Sequence, residues 1–476
     1  MKSNKKTKII ATLGPATSSK EVLRDMLKEG VNIFRINFSH ANYEDVEQRV
    51  KMIRELNKEL GLNAGILGDL QGPKLRVGVM QDGVVVNAGD KIKFKTGEKF
   101  EGNAEEVYMN YEAFPRDVKA GERILLDDGK LIFEVVSTNK KDTVEANVIQ
   151  GGALKSKKGV NLPNTKISLP ALTEKDVEDA KFACKLEVDW IALSFVRYAS
   201  DLKELQQLIK ENCSHKIPIV AKIEKPEGVK NIDKIAAYCD GLMVARGDLG
   251  VEIPAQEVPL IQKQLVLKAK LARIPVIIAT QMMETMIDSL TPTRAEVNDV
   301  ANSVMDGADA VMLSGETSVG KYPVQVIQKM CQVIKSVENS ELIKVPHNPP
   351  TIKTKRYITK SVCYHAARMA NEIDATAICT LTNSGYTAFQ ISAWRPEAHI
   401  LAFTSNKVIL TQLSLLWGVN AFYYDKFEST DVTIEDVNEI AHKSKYVEKG
   451  DFLINLAAMP IDDKGMVNTL RVSEIK

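Results

Sequence analysis

Eight short apolar runs, each ending in polar or charged residues, constrain this chain more than any other feature. They are Lys8–Thr12, Val31–Asn37, Gly65–Asp69, Asp189–Phe195, Pro218–Glu224, Gly241–Asp248, Pro275–Gln281 and Ala308–Glu316. Between most of them lie segments of helical period, for example Ser19–Glu29 and Tyr43–Leu60. Thr173-x-x-Asp176 and Thr293-x-x-Glu296 read as capping boxes opening two of those helices. Alternating βα units argue for a parallel sheet, and eight of them predict closure into a (β/α)8 barrel of TIM type. A doubly wound open sheet is the alternative.

The alternation breaks once, between the third and fourth runs. From about Gln71 to Ile167 the chain carries shorter strand-like runs (Val84–Val86, Lys91–Phe94, Leu131–Val136, Thr143–Val148) with Asp82-Gly83 and Asp128-Gly129 as turn dipeptides. This predicts a small β-barrel cap, residues 71–167, inserted into a loop on the catalytic face of a barrel built from 1–70 and 168–344. The polar stretch Val345-Pro-His-Asn-Pro-Pro350 reads as a linker. The remainder of 345–476 again alternates: helix Thr359–Asn371, strand Ala375–Leu381, helix Thr387–Ala393, strand Ile400–Thr404 and a late strand Phe452–Leu456. That predicts an open α/β domain.

Composition excludes several classes. A chain of 476 residues suggests about three domains and needs no disulfide staples. With 63 Lys+Arg against 62 Asp+Glu there is no global attraction to nucleic acid or anionic lipid, and 6% aromatics weaken a base-stacking role. The six cysteines (Cys184, Cys213, Cys239, Cys331, Cys363, Cys379) form no C-x-x-C pair and are expected as reduced thiols; the scattered histidines offer no zinc site. The basic start (Lys2, Lys5, Lys6, Lys8) is not followed by a signal-type apolar stretch, and runs such as Ile274–Thr280 are too short to span a membrane. A cytoplasmic protein with no nucleic-acid or membrane partner is expected.

In a barrel, chemistry sits at the carboxyl ends of the strands. The fifth run ends Lys222-Ile-Glu224, where alternation puts Lys222 and Glu224 on one face. The sixth ends Arg246-Gly-Asp248, the seventh Thr280-Gln281, and the second Arg35-Ile-Asn-Phe-Ser-His40. Singly, each has an ordinary explanation: a structural ion pair, a satisfied core hydroxyl. Together, Glu224 and Asp248 suit a hard divalent cation, and Lys222, Arg35, Arg76 and Lys158 would surround it with positive charge. Such an assembly suits a multiply anionic phosphorylated substrate. Gly247 would let backbone amides approach a bound anion.

The strings Thr7-Lys-Ile-Ile-Ala-Thr-Leu-Gly-Pro-Ala-Thr17, Arg35-Ile-Asn-Phe-Ser-His40, Ala221-Lys-Ile-Glu224, Met243-Val-Ala-Arg-Gly-Asp-Leu-Gly-Val-Glu-Ile-Pro254, Ala279-Thr-Gln-Met282, Pro292-Thr-Arg-Ala-Glu296 and Met312-Leu-Ser-Gly-Glu-Thr317 resemble the pyruvate kinase family, in family order. The resemblance implies a barrel with an inserted cap, a C-terminal regulatory domain and a homotetramer. It implies phosphoryl transfer from phosphoenolpyruvate to ADP, with Mg²⁺ or Mn²⁺ on Glu224 and Asp248. Lys222 would face the transferring phosphoryl group, and Gly247, Asp248 and Thr280 the substrate carboxylate. Arg35, Asn37, His40, Arg76 and Lys158 would line the nucleotide phosphates; Thr280 and Ser314 are candidates for protonating the enolate. A metal-dependent lyase or aldolase acting on pyruvate enolate is the alternative enzyme class, and pyruvate release without ADP would favour it.

Two departures stand out. In most of the family Asp-Thr-Lys-Gly-Pro-Glu follows the third strand, with K⁺ held by positions matching Asn37, Ser39, Asp69 and the carbonyl of Leu70. Here the stretch is Asp69-Leu-Gln-Gly-Pro-Lys74, and an ammonium replacing a carboxylate implies that K⁺ is not required. In the C-terminal domain Thr382-Asn-Ser-Gly-Tyr-Thr387 reads as a capped turn or as a phosphate cradle, and the resemblance favours an effector phosphate held by Thr382, Ser384, Gly385 and Thr387. The late loop Ala457–Gly465 lacks the Trp and Arg of bisphosphate-responsive relatives, which leaves a sugar monophosphate or no effector open.

Overall fold

The computed structural model describes residues 5–163, 165–340, 350, 355–426, 428–459 and 466–476. Eight parallel strands close into a barrel: β1 (Lys8–Thr12), β2 (Ile33–Asn37), β3 (Gly65–Asp69), β4 (Trp190–Leu193), β5 (Ile219–Ile223), β6 (Gly241–Ala245), β7 (Val276–Ala279) and β8 (Ala310–Leu313), with β8 paired to β1. The doubly wound alternative is thereby excluded. Two of the predicted strands match to the residue; the others are shorter than their apolar runs, because five runs continue past the last strand residue into loops, turns or helices and the second begins two residues before its strand. The backbone reaches φ +55° at Phe195 and +72° at Thr280, while Arg246–Glu252 and Gly315–Ser318 are helical. Both predicted capping boxes are present, Thr173 with Asp176 and Thr293 with Glu296.

Side chains of alternate strand residues divide between two cores. Ile9, Phe34, Ile66, Ile191 and Leu193 face outward against the helices. Ile10, Ile33, Leu67, Trp190, Val220, Met243 and Ile277 fill the interior, joined by Leu415 and Phe389 of the C-terminal domain. Trp190 Nε1 donates to the Gln412 carbonyl at 3.1 Å, so the C-terminal domain closes the end of the barrel opposite the strand carboxyl ends.

The chain leaves β3 through Gly72, at φ +70°, where a Cβ would lie 2.7 Å from the Phe195 ring; glycine is required at this turn. The inserted cap holds a six-stranded sheet and a separate two-stranded pair. Single bridges from Arg76 to Gly159 and from Val77 to Met109 draw the two edges of the larger sheet together. The C-terminal domain is a five-stranded sheet, four strands parallel and Thr469–Glu474 antiparallel at one edge. That strand, Val419–Tyr423 and the helix Thr430–Lys443 are elements the sequence reading did not draw. The linker at 345–349 and most of the Ala457–Gly465 loop lie outside the described residues.

One expectation fails outright. Cys184 and Cys213, 29 residues apart, are joined in a disulfide with Cα atoms 5.4 Å apart. Cys184 lies in the last turn of helix Glu174–Lys185 and Cys213 caps Ala199–Asn212, and these two helices pack side by side. Sequence spacing could not show that their ends meet. The other four cysteines are free and buried. Among the described residues no helix is long and apolar enough to cross a membrane.

Candidate active site

Two residues beyond the apolar interior positions, five strand ends carry polar side chains: Thr12, Arg35, Asp69, Ser194 and Lys222. The strand period of two makes them the next inward-facing layer toward the cap. Arg35 Nε donates to Asp69 Oδ2 at 2.6 Å and Nη1 to Thr12 Oγ1 at 3.1 Å. Lys222 Nζ lies 3.1 Å from Asp69 Oδ1 and 3.1 Å from Glu224 Oε1, and donates to Ser194 Oγ at 2.5 Å. Ser194 in turn donates to the Leu70 carbonyl at 2.7 Å, and the Phe195 amide to Glu224 Oε2 at 2.7 Å.

Burial alone would raise the Asp69 carboxyl and lower the Lys222 ammonium. Their mutual attraction, with Arg35 beside Asp69 and Glu224 beside Lys222, outweighs burial: Asp69 is held below the usual carboxylate range and Lys222 above the usual amine range. Glu224 goes the other way. Burial pushes it up, Lys222 only partly offsets this, and the nearby negative Asp248 adds to the rise. A carboxylate in that position favours a further cation. Glu224 and Asp248 are hard oxygen donors, and among the described residues no group of three or more His, Cys, Asp or Glu forms a complete cage. Two protein carboxylates with coordination positions left for substrate oxygens fit a divalent ion of Mg²⁺ or Mn²⁺ type.

The structure corrects the assignment of Arg246-Gly-Asp248 to a strand end. β6 stops at Ala245 and these residues form the first turn of helix Arg246–Glu252, where backbone amides have no intrahelical acceptor. The Gly247 amide donates to Thr280 Oγ1 at 2.8 Å. Thr280 is β-branched at φ +72°, an unfavourable conformation. Arg246 holds it: Nη2 donates to the Thr280 carbonyl at 2.6 Å and Nη1 to Asp299 at 2.6 Å.

Between cap and barrel opens a cavity of about 280 Å³ lined by Lys74, Arg76, Lys158, Arg197, Lys225 and Asp248, among others. Lys74 is half-buried and drawn inward; burial lowers its pKa, Asp248 and Glu224 oppose that, and Arg76 and Lys222 reinforce it. Lys158 is paired with Asp127 at 2.8 Å within the cap, and Arg76 Nη1 donates to the Lys157 carbonyl at 2.9 Å. His40 is held below its ordinary value by burial and by Lys74, Arg76 and Arg35. Asn37 Oδ1 accepts from the Ser39 amide at 3.2 Å.

The loop Thr382–Thr387 lies apart, on the C-terminal domain. Thr382 Oγ1 accepts from the Gly385 amide at 3.0 Å, and Gly385, at φ +78°, starts helix Tyr386–Ala393. Ser384 is exposed. Thr387 differs from its expected place: it is buried and accepts from Thr380 at 2.8 Å.

Sequence reasoning missed Ser194, Arg197, Lys225, Glu252 and Asn161. Ser194 was within reach, since it is the polar residue next to the end of the fourth apolar run, as Lys222 and Glu224 stand at the end of the fifth. Asn161 and Glu252 had no local signal, because they belong to different domains.

An ion-paired layer at the strand ends of a barrel, beneath a cationic cleft and beside two hard carboxylate donors, defines a metal-assisted enzyme of phosphoryl chemistry. The family model for the pyruvate kinase barrel domain matches residues 4–327, and that for the pyruvate kinase alpha/beta domain matches 360–473. A pyruvate kinase from Geobacillus stearothermophilus is 41% identical over 99% of this chain and 80% of its own length. One from Corynebacterium glutamicum is 40% identical over 98% of this chain and 97% of its own. A crystal structure of a pyruvate kinase from Cryptosporidium parvum superposes with a TM-score of 0.92 at 33% identity, covering 99% of this chain and 96% of that one. The chain belongs to the pyruvate kinase family.

Proposed function

We propose that transfer of the phosphoryl group of phosphoenolpyruvate to ADP, the reaction of this family, takes place on the layer formed by Arg35, Asp69, Lys222 and Glu224. The observation that carries this is the Lys222 ammonium, buried and held between two carboxylates where its charge cannot be lost. Lys222 and Arg35 neutralise the transferring phosphoryl group, and Lys222 steadies the enolate oxygen as it develops. The Gly247 and Asp248 amides and the Thr280 hydroxyl hold the substrate carboxylate. Glu224 and Asp248 hold the divalent metal, which when bound supplies Lewis-acid neutralisation of the substrate oxygens. Asn37, His40, Arg76 and Lys158 line the nucleotide phosphates, and the cap excludes water. The test is a coupled pyruvate assay with phosphoenolpyruvate, ADP and Mg²⁺, each omitted in turn. Pyruvate must require all three, and its release without ADP would point to the lyase.

The same reading makes K⁺ unnecessary. Asp69 is engaged by Arg35 and Lys222, the Leu70 carbonyl by Ser194, and Asn37 Oδ1 by Ser39, while Lys74 brings a covalent positive charge to Asp248 and Glu224. Homotetramer formation is supported by helix Val258–Ala272, which exposes Leu260, Leu267 and Leu271 at 64%, 57% and 63%. An effector phosphate would meet Thr382, Ser384 and the backbone at Gly385.

A further inference from the structure

Glu252 is the last residue of the helix that begins with Arg246, Gly247 and Asp248. Its side chain is buried at the floor of the cleft and receives two donors on one oxygen. Lys225 Nζ lies 2.6 Å from Oε1, and Asn161 Nδ2 donates to the same atom at 2.9 Å. The other oxygen, Oε2, is buried with no hydrogen-bond partner, so the polar contacts of the group all run through Oε1.

The three residues come from three places. Lys225 follows Glu224 directly at the end of β5. Asn161 belongs to the cap strand Val160–Asn161, which pairs with Arg123–Leu126 and stands next to the segment carrying Lys157 and Lys158. Glu252 lies one helical turn from Asp248. The hinges are held separately: Asp176 accepts from the Gly72 amide at 3.0 Å, and Arg197 donates to the carbonyls of Ile167 at 2.7 Å and Leu169 at 2.5 Å.

We propose that Glu252 is a positioning residue for the reaction: by taking Asn161 from the cap and Lys225 from the barrel on one oxygen, it latches the cap over the cleft that Lys158 and Asp248 line. The inference rests on the reading of the site given above. A carboxylate is suited to this role because it accepts from an ammonium and an amide together, and because a buried charge left without partners is costly. Closing the cap thus adds a second donor to a charge already paired with Lys225.

The test uses Asn161, whose removal leaves the Lys225–Glu252 pair intact. In Asn161→Ala kcat/KM for ADP falls about tenfold or more while the melting temperature is kept, since a displaced cap misplaces groups without removing them. Asn161→Asp has nearly the shape of the native residue but sets a carboxylate against Glu252, and falls further. The exchange Asn161→Asp/Glu252→Gln restores a donor–acceptor pair with reversed polarity and recovers activity over Asn161→Asp alone. Wild-type kcat and KM in Asn161→Ala, Asn161→Asp no worse than Asn161→Ala, or no recovery in the exchange would overturn the latch. If Asn161→Asp does not fold, Asn161→Ala decides. A wild type that makes no pyruvate overturns the reading of the site instead. The latch is then judged by hydrogen exchange at amides 157–161, which must quicken in Asn161→Ala.

Discussion

Lys222 Nζ and Asp69 Oδ1 are 3.1 Å apart inside the barrel, on strands β5 and β3, which are separated by β4 and bridged there by Ser194. Arg35 also holds Asp69 and Glu224 also holds Lys222, so the pair sits inside one buried network of alternating charge. The ammonium is therefore fixed in both place and protonation before any substrate arrives.

Lys222→Met should lower kcat by about 10²–10³-fold or more, the usual result of removing one preorganised donor of positive charge from a transition state. Binding of Mn²⁺ should survive. The fold should lose about 3–5 kcal/mol because two buried carboxylates lose their shared partner. A kcat within about tenfold of wild type would remove Lys222 from the chemistry.

Glu224→Gln and Asp248→Asn should each raise the Mg²⁺ concentration needed for half-maximal rate, since each takes an anionic oxygen from a hard-cation site. Unchanged metal titrations in both variants would place the metal elsewhere.

Full activity is expected in Na⁺ or tetramethylammonium buffers free of K⁺, with K⁺ dependence appearing in Lys74→Glu. A wild-type rate that rises more than about tenfold on adding K⁺, worth about 1.4 kcal/mol, contradicts this.

The joint between barrel and C-terminal domain predicts a pH effect on stability. Lys8 is buried and donates to the Val419 carbonyl at 2.8 Å; burial, with Lys5 nearby, pushes its pKa down to about 7. Burial likewise brings Lys5 and Lys270 down to about 8. These amines fall from an ordinary value of 10.5, so in the window between, the unfolded chain binds more protons than the native one. Stability therefore rises with pH through that window. Above about pH 9 the buried thiols, raised to about 12, act in the opposite sense. Denaturant midpoints should increase between about pH 7 and about pH 9, and less so in Lys8→Met. A flat wild-type profile would show that Lys8 stays charged.

What the sequence by itself determined is what short-range physics determines. Alternation of apolar runs and helical segments set the barrel, and β1 and β3 match it residue for residue because a buried parallel strand is recorded in its own composition. The capping boxes were legible because both partners lie within one helical turn. Lys222 and Glu224 were legible because two residues apart on a strand means one face. Strand ends were overread, as at Arg246–Asp248, because an apolar run does not say where the hydrogen-bond ladder stops. The edge strand Thr469–Glu474 was missed because, partly or fully exposed along its length, it carries no apolar run.

Only the tertiary structure decided which strand-end residues meet. Ser194 reaches Lys222 and Leu70 because barrel closure places β4 between β3 and β5. Asn161 finds Glu252 across 91 residues because the inserted cap folds back over the cleft, and Cys184 finds Cys213 because two helices share a flank. Thr387 turns into the core because its helix packs that face against the sheet. Such pairings depend on distances through space, and a chain read along its length carries no record of them.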